Sequence, residues 1–97
     1  MGLLPGFSGE GTLSKIIEFA YTVDYEEIPE GRVLLNSDNI ESVSHPYYEN
    51  CRLYYEFEVV MKSGKRYQHC YNDNVPNREK KVRAYYHEFM KKIGWAQ

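Results

Sequence analysis

The side chains with the widest chemical repertoire are His45, His69 and His87, the thiols Cys51 and Cys70, and a scatter of carboxylates. A zinc site would draw on those five His and Cys residues, yet no C-x-x-C or H-x₃₋₅-H spacing supports one. His69 and Cys70 are neighbours in a stretch that reads as a strand, so they point to opposite faces and are poorly placed to share a metal. Nucleophilic catalysis needs a Cys or Ser beside a His and an orienting acid. Glu58 and His69 would touch in one hairpin register, where a cross-strand pair on a solvent face explains them as well. The segment Gly6-Phe7-Ser8-Gly9-Glu10-Gly11-Thr12 has the outer glycine spacing of a phosphate loop. It carries Thr12 where the lysine belongs, and Glu10 would repel phosphate. No catalytic residue, metal ligand or cofactor is therefore assigned, and the chain reads as a non-enzyme.

Binding chemistry is better represented. Ten tyrosines occur, six of them as the adjacent pairs Tyr47-Tyr48, Tyr54-Tyr55 and Tyr85-Tyr86. Tyrosine suits interfaces because it joins a rigid apolar ring to a polar tip. Tyr54, Glu56 and Glu58 fall on one face of an alternating strand, and Tyr47, Tyr48 and Glu49 precede them in a loop. Together they form a candidate protein-binding face. Its acids would imitate a row of phosphates and fit a basic, nucleic-acid-binding groove on a partner protein. The same pattern also describes a solvated sheet face. The alternative partner is nucleic acid itself. Residues 1–58 hold eleven acids and three bases, whereas residues 59–97 hold three acids and nine bases. In that basic half, Lys62, Lys65 and Arg66 sit at a hairpin tip, and Lys80, Lys81 and Arg83 lie on a helix. Cations interleaved with aromatics suit phosphate tracking and base stacking. The overall pI of about 5.9 opposes that reading.

The elements that must position these residues follow from periodicity and turn chemistry. Residues 13–25 fit a helical face through Leu13, Ile16, Ile17 and Ala20, and a strand face through Ile17, Phe19, Tyr21 and Val23. Their β-branched and aromatic content favours a strand from about Ile16 to Tyr25. Ile28-Pro29-Glu30-Gly31 is a turn, Arg32–Leu35 a short strand that could pair with a second copy, Asn36–Asn39 a turn, and Ile40–Ser44 a strand. His45–Asn50 reads as a loop. Leu53, Tyr55, Phe57, Val59 and Met61 alternate as the buried face of a long strand. Ser63-Gly64 returns the chain through Lys65–Asn72. A two-residue turn would pair Phe57 with Cys70 and Glu58 with His69, and place Arg66 and Gln68 on the apolar side. A three-residue turn with a Gly bulge pairs Phe57 with His69 and Val59 with Tyr67, and is favoured because it keeps Tyr67 and Tyr71 there. In either register Cys51 lies roughly 17–20 Å along the strand from Cys70, beyond disulfide reach. A helix is predicted over Pro76–Ile93, with Val82, Tyr85, Tyr86, Phe89 and Ile93 as its apolar stripe, Gly94 as its stop and Trp95 folded back on the core.

The class that results is α+β: an antiparallel β-meander of about four to five strands packed against one C-terminal α-helix. Residues 1–97 make one domain, with a Gly-rich arm over 1–11, the meander over 12–72 and the helix over 76–93. No apolar stretch is long enough for a membrane span, and neither a signal peptide nor a myristoylation motif is read at Met1–Gly6. Two cysteines without a leader suggest reduced thiols in a cytoplasm. The expected function is a small protein-binding module, monomeric or homodimeric. In size and kind it is similar to the small proteins phages make against host nucleic-acid machinery, anti-CRISPR inhibitors among them. That is a class analogy, resting on compactness and not on a motif.

Overall fold

The long alternating strand organises the molecule. In the computed structural model, which describes residues 15–95, it runs over Tyr54–Met61 (β5) and is paired along both edges. On one edge lies Arg66–Asn72 (β6), antiparallel, with Phe57 opposite His69 and Val59 opposite Tyr67. This is the register of the Gly-bulge turn. Gly64 has φ +94°, a backbone state that side chains disfavour, and its N–H donates to Met61 O. On the other edge lie two short strands end to end. Ile40–Val43 (β3) pairs with Val59–Met61, and Tyr47–Glu49 (β4) pairs with Tyr54–Glu56. Ser44 bridges them, because its Oγ accepts the Glu58 N–H and its own N–H donates to Glu58 O. Pro46, with no N–H to give, follows at the break.

Ile16–Tyr21 (β1) and Gly31–Asn36 (β2) form a separate antiparallel ribbon. Alternation places Ile17 and Phe19 of β1, with Leu35 of β2, on the core side. A 3₁₀ turn at Ser37–Asn39 joins the ribbon to β3, and the Asn36 side chain accepts the Asp38 N–H at its start. The ribbon meets β6 through Thr22 N–H to Gln68 O and Asn72 N–H to Glu27 O. Next to the first of these, side chains replace the ladder. Ala20 N–H donates to Tyr85 Oη at 2.8 Å, and Ala20 O accepts from His69 Nδ1, also at 2.8 Å.

The helix Arg78–Lys92 (α1) covers the inner face of β5 and β6. Its Val82, Tyr86 and Phe89, with Ile93 just beyond, meet Tyr55, Phe57, Val59 and Met61. Phe19 and Phe57 lie at the centre, fully buried and edge to face at 5.8 Å. Each such ring contributes roughly 1.5–3 kcal/mol by leaving water. Gly94, at φ +80°, ends the helix.

Among the described residues the structure is α+β, with six strands in two antiparallel sheets against one C-terminal helix, one strand more than the sequence reading lays out. The addition is β4, expected as loop. β1 ends at Tyr21, so Val23 and Tyr25 lie in the following loop. Leu53 is also displaced from its expected place on the buried face. It takes φ +65° in the turn before β5 and is exposed. Trp95 does not cap the core; its N–H bonds Met90 O and the residue is exposed. The glycine-rich arm and the segment Gly6–Thr12 lie outside the described residues. Among the described residues no helix is long and apolar enough to cross a membrane.

Candidate functional site: a groove between an edge strand and the helix

The face of β5 turned away from the helix is the one that alternation assigns to solvent. Its three candidates depart from that expectation. Glu56 is 0% exposed and Tyr54 9%. Glu56 sits in a cross-strand row between Tyr47 of β4 and Cys70 of β6. Tyr47 Oη donates to its Oε2 at 2.6 Å, Arg52 Nη2 to its Oε1 at 2.9 Å, and the Cys70 thiol to Oε1 at 3.4 Å. Tyr54 Oη donates to Glu26 O, so the loop after β1 covers its ring edge. Glu58 is held by Arg66 Nη1 and Gln68 Nε2, both at 3.0 Å. The correction has a physical cause. A carboxylate in the middle of a three-strand row is covered by its neighbours, and Arg52 reaches over it from the preceding turn. No row of free acids results.

The loop candidates divide. Glu49 turns inward to cap the 50–53 turn, accepting Arg52 N–H at 2.8 Å, which is the first reason its carboxyl is held below the usual range. Tyr47 and Tyr48 are both exposed, on opposite faces of β4. Burial first, and then the bond to Glu56, raises the Tyr47 phenol far above its ordinary value. Burial, followed by the charge of Glu56, likewise raises the Cys70 thiol, so Cys70 stays protonated near neutral pH. Cys51 is free and exposed.

Tyr48 faces the helix, and there the structure forms an open groove of ≈ 880 Å³. One wall is Tyr48 and Tyr55, from β4 and β5. The other is the first two turns of α1, with Asn77, Arg78, Glu79, Lys80, Arg83 and Ala84. The Arg83 guanidinium lies 5.6 Å over the Tyr55 ring, and its Nε donates to Glu79 Oε2 at 3.0 Å. Arg78 is paired with Asp73 at 2.7 Å. Lys80 makes no ion pair among the described residues. Three cations against one carboxylate leave the lining positive. Among the described residues β4 has β5 as its one strand neighbour, so its outer edge carries no paired strand beside the groove.

Of the basic candidates, Lys80 and Arg83 line this groove and Lys81 stands outside it, over the Tyr71 ring at 5.7 Å. Lys62, Lys65 and Arg66 at the hairpin tip line no part of it. Lys65 lies over the Tyr67 ring, and Arg66 is committed to Glu58. Tyr55 and Asn77 are not among the sequence candidates. The i, i+4 spacing of Glu79 and Arg83 is the signal that fixes Arg83 in place, but nothing local reports that Tyr48 would lie across from it. Among the described residues no group of three or more His, Cys, Asp or Glu side chains is arranged to hold a metal ion. No protein-family model matches the chain, and comparison with curated proteins and with solved structures gives no significant match.

Proposed function

We propose that the protein is a non-enzymatic binding module that receives an extended, acidic segment of a partner protein in the groove between β4 and α1. The observation that supports this is convergence. An open strand edge, two tyrosine rings and a cationic helix turn border one groove. An added strand gains backbone hydrogen bonds at such an edge, and alternate side chains enter the neighbouring pocket. Carboxylates on those side chains would meet Lys80 and Arg83, while Tyr48 supplies flat apolar contact. This reading keeps the expected protein partner and inverts its charge. The acids first assigned to recognition serve internal hydrogen bonds instead.

The test is fluorescence anisotropy with a labelled peptide of alternating Glu and Val, set against labelled oligo-dT. Saturable peptide binding that weakens with salt is expected. Lys80→Glu with Arg83→Glu should lower affinity by about tenfold, the sum of a few exposed charge contacts. Lys80→Glu alone, at an exposed and unpaired position, gives a smaller loss with the fold undisturbed. Tighter binding of oligo-dT through the same residues would favour the nucleic-acid reading, for which Tyr48 and the helix cations are also suited. Failure of both probes to bind overturns the assignment of this groove.

A further inference from the structure

The opposite face of the four-stranded sheet carries a second cavity, independent of the groove. It measures ≈ 560 Å³ and lies between the outer face of β5–β6 and the loop that follows β1. Tyr54 and the buried Cys70 line its sheet side, and Asp24, Tyr25 and Glu27 line its loop side.

The loop is fastened at several points. Tyr54 Oη donates to Glu26 O at 2.8 Å, Asn72 N–H donates to Glu27 O at 2.9 Å, and Thr22 Oγ1 exchanges hydrogen bonds with the Cys70 backbone at 2.8 and 2.9 Å. Glu26 N–H bonds Val23 O across the turn. The cavity is thus held open by its own framework, and a ligand would not have to organise it.

Its charge is lopsided. Asp24 and Glu27 both line it, and neither makes an ion pair among the described residues. The cation in the lining is Arg52, which is engaged by Glu49 at 3.2 Å and by buried Glu56 at 2.9 Å. Arg52 also occupies the Tyr54 ring: its guanidinium lies 5.4 Å from the ring centre. The chain's own organic cation is therefore already seated against this aromatic wall, beside a buried carboxylate. Tyr25, at φ +73° and 99% exposed, holds a second ring at the rim with nothing among the described residues covering it.

We infer that this cavity binds an organic cation, an ammonium or guanidinium on an aliphatic stem, at its rim against the Tyr25 ring with Asp24 and Glu27 as its counter-charges. Rings attract cations through their negative faces, and paired carboxylates fix the head group. Two sources share this chemistry, a free amine and a lysine side chain of a protein.

The test follows the backbone amide NMR signals of Tyr25, Asn72 and Asn74 in the full chain during titration. The probes are n-butylammonium, the neutral n-butanol, and a capped Ala-Lys-Ala peptide. Saturable shifts with butylammonium and none with butanol are expected. Asp24→Asn with Glu27→Gln should weaken binding roughly tenfold, the equivalent of ~1.4 kcal/mol. Tyr25→Ala, at a fully exposed side chain, should weaken it without touching the fold. Lys80→Glu should leave it unchanged, which separates this site from the groove. Tighter binding of the peptide than of butylammonium identifies a protein-borne lysine, and the reverse identifies a free amine. Equal shifts with butanol, no saturation, or a double variant that binds like the parent overturns the inference.

Discussion

Glu56 and His69 show how single residues leave their expected places. Both are buried and polar, and they lie on opposite faces of the sheet. Glu56 retains a full set of partners in Tyr47, Arg52 and Cys70, so its burial is compensated. His69 is compensated by half. Its Nδ1–H donates to Ala20 O, and its ring stacks on Tyr85 at 4.0 Å and 4°. Its Nε2 has no hydrogen-bond partner among the described residues. Burial lowers its pKa from 6.5 to about 4. Above pH 6.5 the imidazole is neutral in both the folded and unfolded chains and adds no pH dependence. Between 6.5 and about 4 the unfolded chain binds the proton and the folded chain does not, so stability falls with falling pH. Below about pH 4 the loss is complete, on the order of 3 kcal/mol. Urea denaturation across this range should therefore show a steeper acid decline in the parent than in His69→Phe. That variant keeps a ring against Tyr85 and cannot titrate. Parallel pH profiles for the two proteins would refute the assignment of the acid decline to His69.

The elements were legible where local chemistry determines them. The alternation from Tyr55 to Met61 and the Ser63-Gly64 turn suffice for strand, turn and register, because a one-residue slip would carry Arg66 and Gln68 into the apolar face. The helix was legible for the same reason: Val82, Tyr86, Phe89 and Ile93 repeat at its period and meet the core. β4 was not legible. Three residues after Pro46 carry no alternation of their own, and Tyr47–Glu49 become a strand because Tyr54–Glu56 offer them an edge. The groove depends on β4, so it was hidden with it. Lys80 and Arg83 were visible as cations, whereas their position across from Tyr48 is a tertiary fact. The hairpin turn carries a direct test of the element scale. Gly64 sits at φ +94° with open space where a Cβ would project, so a side chain there meets backbone strain and no clash. Gly64→Ala should cost about 1 kcal/mol in thermal or urea unfolding. A variant as stable as the parent would mean that the turn relaxes to another conformation, with the register free to shift.

At the scale of the molecule, the question is what fastens the β1–β2 ribbon to the rest. Ile17, Phe19 and Leu35 bring it into the core, but its backbone meets β6 through few main-chain bonds. Side chains make up the difference. Thr22 Oγ1 takes the place of a ladder partner by accepting Cys70 N–H and donating to Cys70 O. Tyr85 Oη accepts Ala20 N–H, which ties the ribbon directly to α1. These links sit at one end of β1, next to the loop that walls the outer cavity. Ribbon, loop and cavity should accordingly loosen together, while the β5–β6 hairpin, bonded along seven residue pairs, stays closed. Thr22→Val keeps the shape of the side chain and removes both hydroxyl bonds. It leaves the Cys70 N–H and C=O without that partner, at a cost of roughly 1–3 kcal/mol. Hydrogen exchange should then quicken at Ala20, Thr22 and Cys70 with little change at Phe57 and Val59. Tyr85→Phe, which keeps the stack on His69, should quicken Ala20 alone. If Thr22→Val instead speeds exchange evenly across β5 and β6, the ribbon and the hairpin open as one cooperative unit, and the hydroxyl is a support of the whole core.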